Sequence, residues 1–240
     1  MPNKVKFLIA AAGKGTRSGL KYPKSLYKVD DIPIIRRIYS AIGDLDNKPI
    51  IVVSDFSEPF LKEYLNSENL EYIFVTQKKQ IGMADAVYQA RKIFKNYEFT
   101  DLFVMWGDLP YITNKTISNL MELHFSNKSD LSFATLTENN PYTIVERDEK
   151  NNVISVSELK DIPPHERPKK GERDIGIFIF NKDKFFKYLK QLLDHHHNQV
   201  EEIGFLEIIK VLADNGLSVN GYKIARPIEA ISFNCKDDLI

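Results

Sequence analysis

Short apolar runs that alternate with longer segments of helical period constrain this chain more than any other feature. "VKFLIAA" (5–11), "PIIVVS" (49–54), "LEYIFVT" (70–76) and "DLFVMWG" (101–107) read as buried strands, rich in β-branched and aromatic residues. Among and after them, "PIIRRIYSAI" (33–42), "EPFLKEYLN" (58–66), "MADAVYQARKIF" (83–94) and "NKTISNLMELHF" (114–125) repeat apolar residues at helical spacing. Asp31 is the expected cap of the first helix, with Pro33 near its first turn. Strand and helix in turn build a parallel sheet covered on both faces, because each crossover must carry the chain back before the next strand begins.

After residue 125 the rhythm changes. "DLSFATL" (130–136), "TIVERD" (143–148), "NVISVSEL" (152–159) and "DIGIFIF" (174–180) are strands joined only by turns or loops, which predicts antiparallel pairing, above all across the polar turn "DEKNN" (148–152). Helices return at "KDKFFKYLKQLL" (182–193) and "GFLEIIKVLADNG" (204–216), the second stopped by Gly216. "DIPPHERPKKGER" (161–173) and "DHHHNQVEE" (194–202) read as long loops. The expectation is one α/β domain over residues 1–240, with a mixed, mainly parallel sheet and an antiparallel extension over one end. Ligands of such sheets gather beyond the carboxyl ends of the strands, which puts Gly13, Gln77 and Asp108 on one rim.

Charge narrows the possible partners. Lys plus Arg and Asp plus Glu number 33 each, so there is no basic excess to hold nucleic acid or an anionic membrane. No apolar stretch approaches the roughly 20 residues of a membrane span, and residues 1–6 lead straight into a strand instead of a signal peptide. The single cysteine, Cys235, offers neither an internal disulfide nor a thiolate metal cluster. A reduced, cytoplasmic protein is expected.

The turn after the first strand carries the chemistry: "IAAAGKGTRSGLKYPKSL" (9–26). Small residues leave main-chain N–H groups uncovered, so phosphate oxygens can approach. Two familiar phosphate loops do not fit. A Walker loop needs Ser or Thr after Gly-Lys, where this chain has Gly15, and the third glycine of a dinucleotide fingerprint arrives one residue late, at Gly19. A glycine turn alone is also compatible with a bare tight turn. Arg17 and Lys24 add two cations beside the same anion, and several donors around a polyphosphate are what nucleotidyl transfer requires.

The stretch resembles the GxGTR…PK signature of nucleotidyltransferases acting on sugar phosphates, most of all the uridylyltransferase domain of the bacterial N-acetylglucosamine-1-phosphate uridylyltransferases. Further resemblances follow in order: "QKKQIGMADAV" (77–87) to a base-recognition turn, "WGDLPYIT" (106–113) to a metal-aspartate motif, and "PYTIVERDEKNNVISVSELKD" (141–161) to an acceptor-binding hairpin. "ERDIGIFIF" (172–180) and "EAISFNCKDDL" (229–239) are similar to the last two ligand-bearing strands. The resemblance implies a Rossmann-like, three-layer, GT-A-like fold, with residues up to about 125 binding nucleotide and those from about 126 binding the acceptor.

It also implies roles. Ala10, Ala11, Ala12 and Gly13 would hold the nucleotide by their main chain, and Arg17 and Lys24 would grip phosphates as catalytic residues. Gln77 would read the base edge, with Gly82 and Met83 beside base or ribose. Asp108 and Asn234 would hold Mg²⁺, which prefers hard oxygen ligands and keeps several waters. Trp106, Gly107, Thr143, Glu158 and Asp174 would line the acceptor site. No general base is needed, since the acceptor's phosphate is already ionised, and no Ser–His or Cys–His arrangement is evident.

Three positions depart from the family pattern. Met83 stands for a threonine, Thr143 for a glycine and Asp174 for an asparagine. The first leaves the base open, with UTP the first choice of donor. The other two predict an acceptor other than N-acetylglucosamine 1-phosphate: another phosphorylated sugar or polyol. A glycosyltransferase of related topology would carry an Asp-x-Asp triplet where this chain has Gly107-Asp108-Leu109, and a silent regulatory module is the other alternative. His195, His196 and His197 are expected to be a solvated loop. The hexad periodicity of an acetyltransferase domain is absent, so acetyl transfer is not expected.

Overall fold

A computed structural model describes residues 4–13, 19–79, 81–160, 162–195, 204–234 and 238. Strands β1 (Val5–Ala10), β4 (Ile50–Val53), β5 (Ile73–Thr76) and β6 (Asp101–Trp106) form the parallel part of the sheet, and β2 (Lys28–Val29) and β3 (Ile32–Pro33) a separate small hairpin. Later come β7 (Leu131–Asn139), β8 (Thr143–Arg147), β9 (Val153–Glu158), β10 (Lys170–Asn181) and β11 (Val219–Tyr222). The helices are α1 (Ile34–Ile42), α2 (Ser57–Ser67), α3 (Met83–Gln89), α4 (Asn114–Ser126), α5 (Lys182–His195) and α6 (Glu207–Asp214).

Seven strands join in the order β11-β7-β10-β6-β1-β4-β5. Only β10 runs against its neighbours, β6 and β7, so the sheet is mixed and mainly parallel as expected. Alternation along the strands divides the core in two. Phe7, Ile9, Phe103 and Met105 face α1, α2 and α4, while Leu8, Ala10, Leu102 and Val104 face α3, α5 and α6. Side chains on both faces are buried, which is why these strands read as unbroken apolar runs.

The β8–β9 hairpin stands apart from the main sheet, its turn closed by Asp148 Oδ1, which accepts from the N–H groups of Lys150 and Asn152. β10 reaches back to Lys170, four residues into the segment read as loop, because its polar end pairs with the outer end of β7. α5 likewise runs on to His195, within the second expected loop, and residues 196–203 lie outside the described residues.

Other expectations need correction. Asp31 does not cap α1: Asp30 and Asp31, at φ 49° and 62°, make the two-residue turn of the β2–β3 hairpin, and Pro33 precedes the helix. The stretch 229–239, likened to a strand, begins in a single tight helical turn, Pro227–Ala230, and continues without regular structure to Asn234. Proline presets that turn and the wholly buried Glu229 fastens it, accepting from the Thr113 hydroxyl (2.6 Å) and the Arg226 N–H (3.0 Å). β11, unread in the sequence, is a short edge strand parallel to β7.

Candidate active site

A cleft of about 790 Å³ opens beyond the carboxyl ends of β1 and β6. Its floor is built from main chain. Gly107 N–H donates to Ala10 O (3.0 Å), and Ala11 N–H to Val52 O (2.9 Å), so the turn after β1 is pinned to both neighbouring strands. A side chain at Gly107 would put its Cβ 2.8 Å from Ala10 O, so the close approach of the two strand ends requires glycine there. Ala10, Ala11 and Gly13 line the cleft, whereas Ala12 packs into the core. Arg17 lies outside the described residues.

Opposite this floor, distant parts of the chain meet. Lys24, on the short turn Lys24–Leu26, donates from Nζ to Asn234 Oδ1 at 2.8 Å across 210 residues. The segment bearing Asn234 is tied to Asp108 through Phe233 N–H, which donates to Asp108 O (2.9 Å), and Phe233 stacks on Tyr27 at 4.1 Å. Lys24, Asp108 and Asn234 all line the cleft. Asp238, which the sequence reading did not single out, lines it too and accepts from Asn234 N–H at 2.6 Å.

The other wall comes from the hairpin and β10. Trp106, Thr143, Glu158 and Asp174 line the cleft together, as does Met83. Thr143 and Glu158 are cross-strand partners, and Lys160 Nζ approaches Glu158 Oε2 at 2.9 Å. Asp174 is 6% exposed; its carboxylate accepts from the Thr143 hydroxyl (2.6 Å) and the Gly176 N–H (3.0 Å). Thr143 and Asp174, the two residues expected to alter the acceptor site, thus bond to each other.

Burial pushes the Asp174 carboxyl above the ordinary carboxylate range, and the Thr143 hydroxyl and Gly176 N–H only partly reverse this. A carboxyl whose folded pKa exceeds its unfolded value binds protons more tightly when folded, so stability falls as pH rises through that pKa. Asp174→Asn removes the charge yet can keep both bonds, because the Thr143 hydroxyl can accept from an amide while the amide oxygen accepts from Gly176. This variant should melt above the wild type at neutral pH, with about 2–4 °C for each kcal/mol gained. The gap should close on acidification. Calorimetry at several pH values checks it; equal or lower melting at neutral pH contradicts this account of Asp174.

Gln77 sits just past β5, in the turn that leads to α3. Only 4% exposed and absent from the cleft lining, it spends both amide hydrogens on Gly82 O (3.0 Å) and Asp85 Oδ2 (2.9 Å). It holds the β5–α3 turn, in which Gly82 sits at φ 109° as the residue before α3. A Ser–His–Asp trio also exists, contrary to expectation: His124 lies 2.9 Å from Ser132 Oγ and 3.3 Å from Asp101 Oδ1. All three are buried, and Asp101 starts β6 whereas Trp106 ends it, roughly 16 Å away along the strand. That trio is structural.

Among the described residues no group of three or more His, Cys, Asp and Glu side chains forms a metal cluster. His195 is exposed at the end of α5, and His196, His197 and Cys235 lie outside the described residues. No described helix is long and apolar enough to cross a membrane.

A family model for MobA-like NTP transferase domains matches residues 7–158, which run from within β1 through β9 and carry half of the residues that line the cleft. The chain belongs to the MobA-like NTP transferase family. The bifunctional protein GlmU of Streptococcus thermophilus is 28% identical over 229 residues, covering 95% of this chain and 48% of that protein. GlmU of Streptococcus sanguinis gives the same figures. The chain thus spans about half the length of the curated relatives it matches. The inositol-1-phosphate CTP transferase of T. maritima superposes with a TM-score of 0.73 at 17% identity, over 100% of this chain and 93% of that one. A Bacillus anthracis structure assigned as a glucose-1-phosphate thymidylyltransferase, in complex with sucrose, gives 0.72 at 18% identity, over 92% and 87%. These likenesses establish the nucleotidyltransferase fold.

Residues that the reading missed were within quoted motifs. Lys160 follows Glu158 by two positions and Arg173 directly precedes Asp174, but a lone basic residue looks solvated until its neighbours are known.

Proposed function

We propose that this chain transfers a nucleoside monophosphate from an NTP, UTP being the first candidate, to a phosphorylated sugar or polyol, and releases pyrophosphate. A phosphate oxygen of the acceptor attacks the α-phosphorus, the bond from that phosphorus to the bridging oxygen breaks, and pyrophosphate leaves with the electron pair. The carrying observation is the Lys24–Asn234 contact beside Asp108, opposite Glu158 and Asp174 in one cleft. Residues up to about 125 would serve the nucleotide and those beyond it the acceptor, within one domain, since β6 pairs directly with β10.

Asp108 and Asn234 would hold Mg²⁺. A carboxylate and an amide oxygen from two separated segments suit a cation that keeps several waters and takes phosphate oxygens as well. The ion would screen the repulsion between the two phosphates. Lys24 would stabilise charge at the α-phosphate, and the small-residue turn after β1 would supply N–H donors. The resemblance to sugar-phosphate uridylyltransferases motivates UTP, while the buried, acceptor-only carboxylate of Asp174 favours hydroxyl donors over an acetamido carbonyl at that wall.

A matrix of the four NTPs against phosphorylated sugars and polyols, scored by pyrophosphate release, tests the proposal. One pair should stand out, chelation should abolish its turnover, and added Mg²⁺ should restore it. Tight, fast use of N-acetylglucosamine 1-phosphate would refute the altered acceptor site, and no release with any pair would refute the reaction.

A further inference from the structure

The two phosphorylated substrates of the proposed reaction bring much negative charge into a cleft that already holds it. Among the described residues three cations, Lys24, Lys160 and Arg173, share the lining with four carboxylates, Asp108, Glu158, Asp174 and Asp238. Lys24 is bonded to Asn234, beside the turn that would take the NTP, and the Lys160 side chain is 60% exposed. Arg173 differs from both. Its side chain is 15% exposed and fixed by three bonds: Nε to Glu138, Nη1 to Asp174 O (2.9 Å) and Nη2 to Ala230 O (2.8 Å).

Those anchors locate the guanidinium. Asp174 belongs to the acceptor wall, and Ala230 opens the segment that ends in Asn234; both line the cleft. Arg173 therefore bridges the acceptor wall and the segment bearing the Mg²⁺-ligand candidate. A guanidinium has five N–H groups, of which these bonds use three, leaving one on each terminal nitrogen. Two unused donors on a planar, immobilised cation suit the oxygens of a phosphate.

We propose that Arg173 binds the phosphate of the acceptor and aims it toward the α-phosphorus. The inference rests on the proposed transferase reaction and adds to it a residue that orients the nucleophile. Being held before substrate arrives, the guanidinium loses little further freedom on binding. Glu138 keeps it in place, and its link to Ala230 O ties acceptor binding to the position of Asn234.

The test uses the best donor–acceptor pair from the substrate matrix. Arg173→Lys keeps the charge but loses the planar pair of donors, and should raise the acceptor KM about ten- to hundredfold with the NTP KM within about twofold. Preference for the phosphorylated acceptor over its phosphate-free form, measured as competitive inhibition, should shrink in parallel; a merely structural arginine would leave that preference intact. Glu138→Gln, which loosens the guanidinium without removing it, should raise the acceptor KM severalfold, and carries the test if Arg173→Lys does not fold. An unchanged acceptor KM, or an equal rise for the NTP, overturns the role of Arg173 alone. A wild type that releases no pyrophosphate with any pair overturns the parent reaction and this role together.

Discussion

A Lys24→Ala variant is expected to lose about 100- to 1000-fold in kcat, the scale seen when one preorganised donor to a developing charge is removed. The loss should fall on kcat more than on the NTP KM, because charge accumulates around the α-phosphate as pyrophosphate departs. Folding should survive. Lys24 lies on a short turn closed by backbone bonds, Leu26 N–H to Pro23 O and Tyr27 N–H to Lys24 O, both 2.9 Å, which alanine preserves. Asn234 Oδ1 would lose its ammonium partner, so Asn234→Ala should share part of the same defect. The double variant should then cost less than the product of the singles, since the two side chains act as one contact. Single-turnover kinetics with saturating acceptor separates chemistry from release. Full turnover by Lys24→Ala would remove catalysis from this site.

That pair also shows what a sequence can and cannot disclose. The place of Lys24 in the cleft was legible because the small-residue turn, its cations and the Pro-Lys step lie within eighteen residues. Asn234 was legible only through resemblance, and its partner only through folding, since no local pattern joins residues 210 apart. The central strands were readable for a simpler reason. β1, β4 and β6 are packed on both faces, so nearly every position had to be apolar.

Where reading failed, polar groups had found partners that spacing does not reveal. Lys170–Arg173 looked like loop because it is charged, yet it extends β10, with Glu172 buried against Thr135 and Arg147 at 2.7 Å each. Those donors hold the Glu172 carboxyl below its ordinary range in spite of its burial. For Gln77, the family resemblance implied a base-reading role, and its sequence position shows only that it ends a strand. Its partner Asp85, eight residues later, accepts from its amide at 2.9 Å, a contact that spacing does not reveal. In each case the residue type was compatible with two environments, and a single tertiary neighbour decided between them.

Gly176→Ala is expected to cost about 2–5 kcal/mol of stability and to weaken acceptor use at the same time. Two separate penalties converge there. Gly176 sits at φ +79°, a conformation side chains rarely adopt, and an added Cβ would lie 2.3 Å from Trp106 Cδ1 and 2.7 Å from Nε1. The indole has little room to retreat, because Phe178 and Phe205 pack on it at 5.3 and 5.2 Å. The position lies inside the irregularity of β10 between Asp174 and Phe178, and its N–H holds Asp174 Oδ2. Relief of the clash must therefore move either the aromatic wall of the cleft or the carboxylate beside it. Relaxation through Trp106 would raise the acceptor KM with tryptophan fluorescence altered, a clean readout because Trp106 is the only tryptophan in the chain. Relaxation through the β10 backbone would free Asp174 from its N–H donor and shift the acid limb of the acceptor pH profile upward, since losing a bond to the charged form raises the carboxyl further. Unchanged stability together with an unchanged acceptor KM would show that neither group needs the glycine, and that the acceptor wall is not built around Trp106 and Asp174.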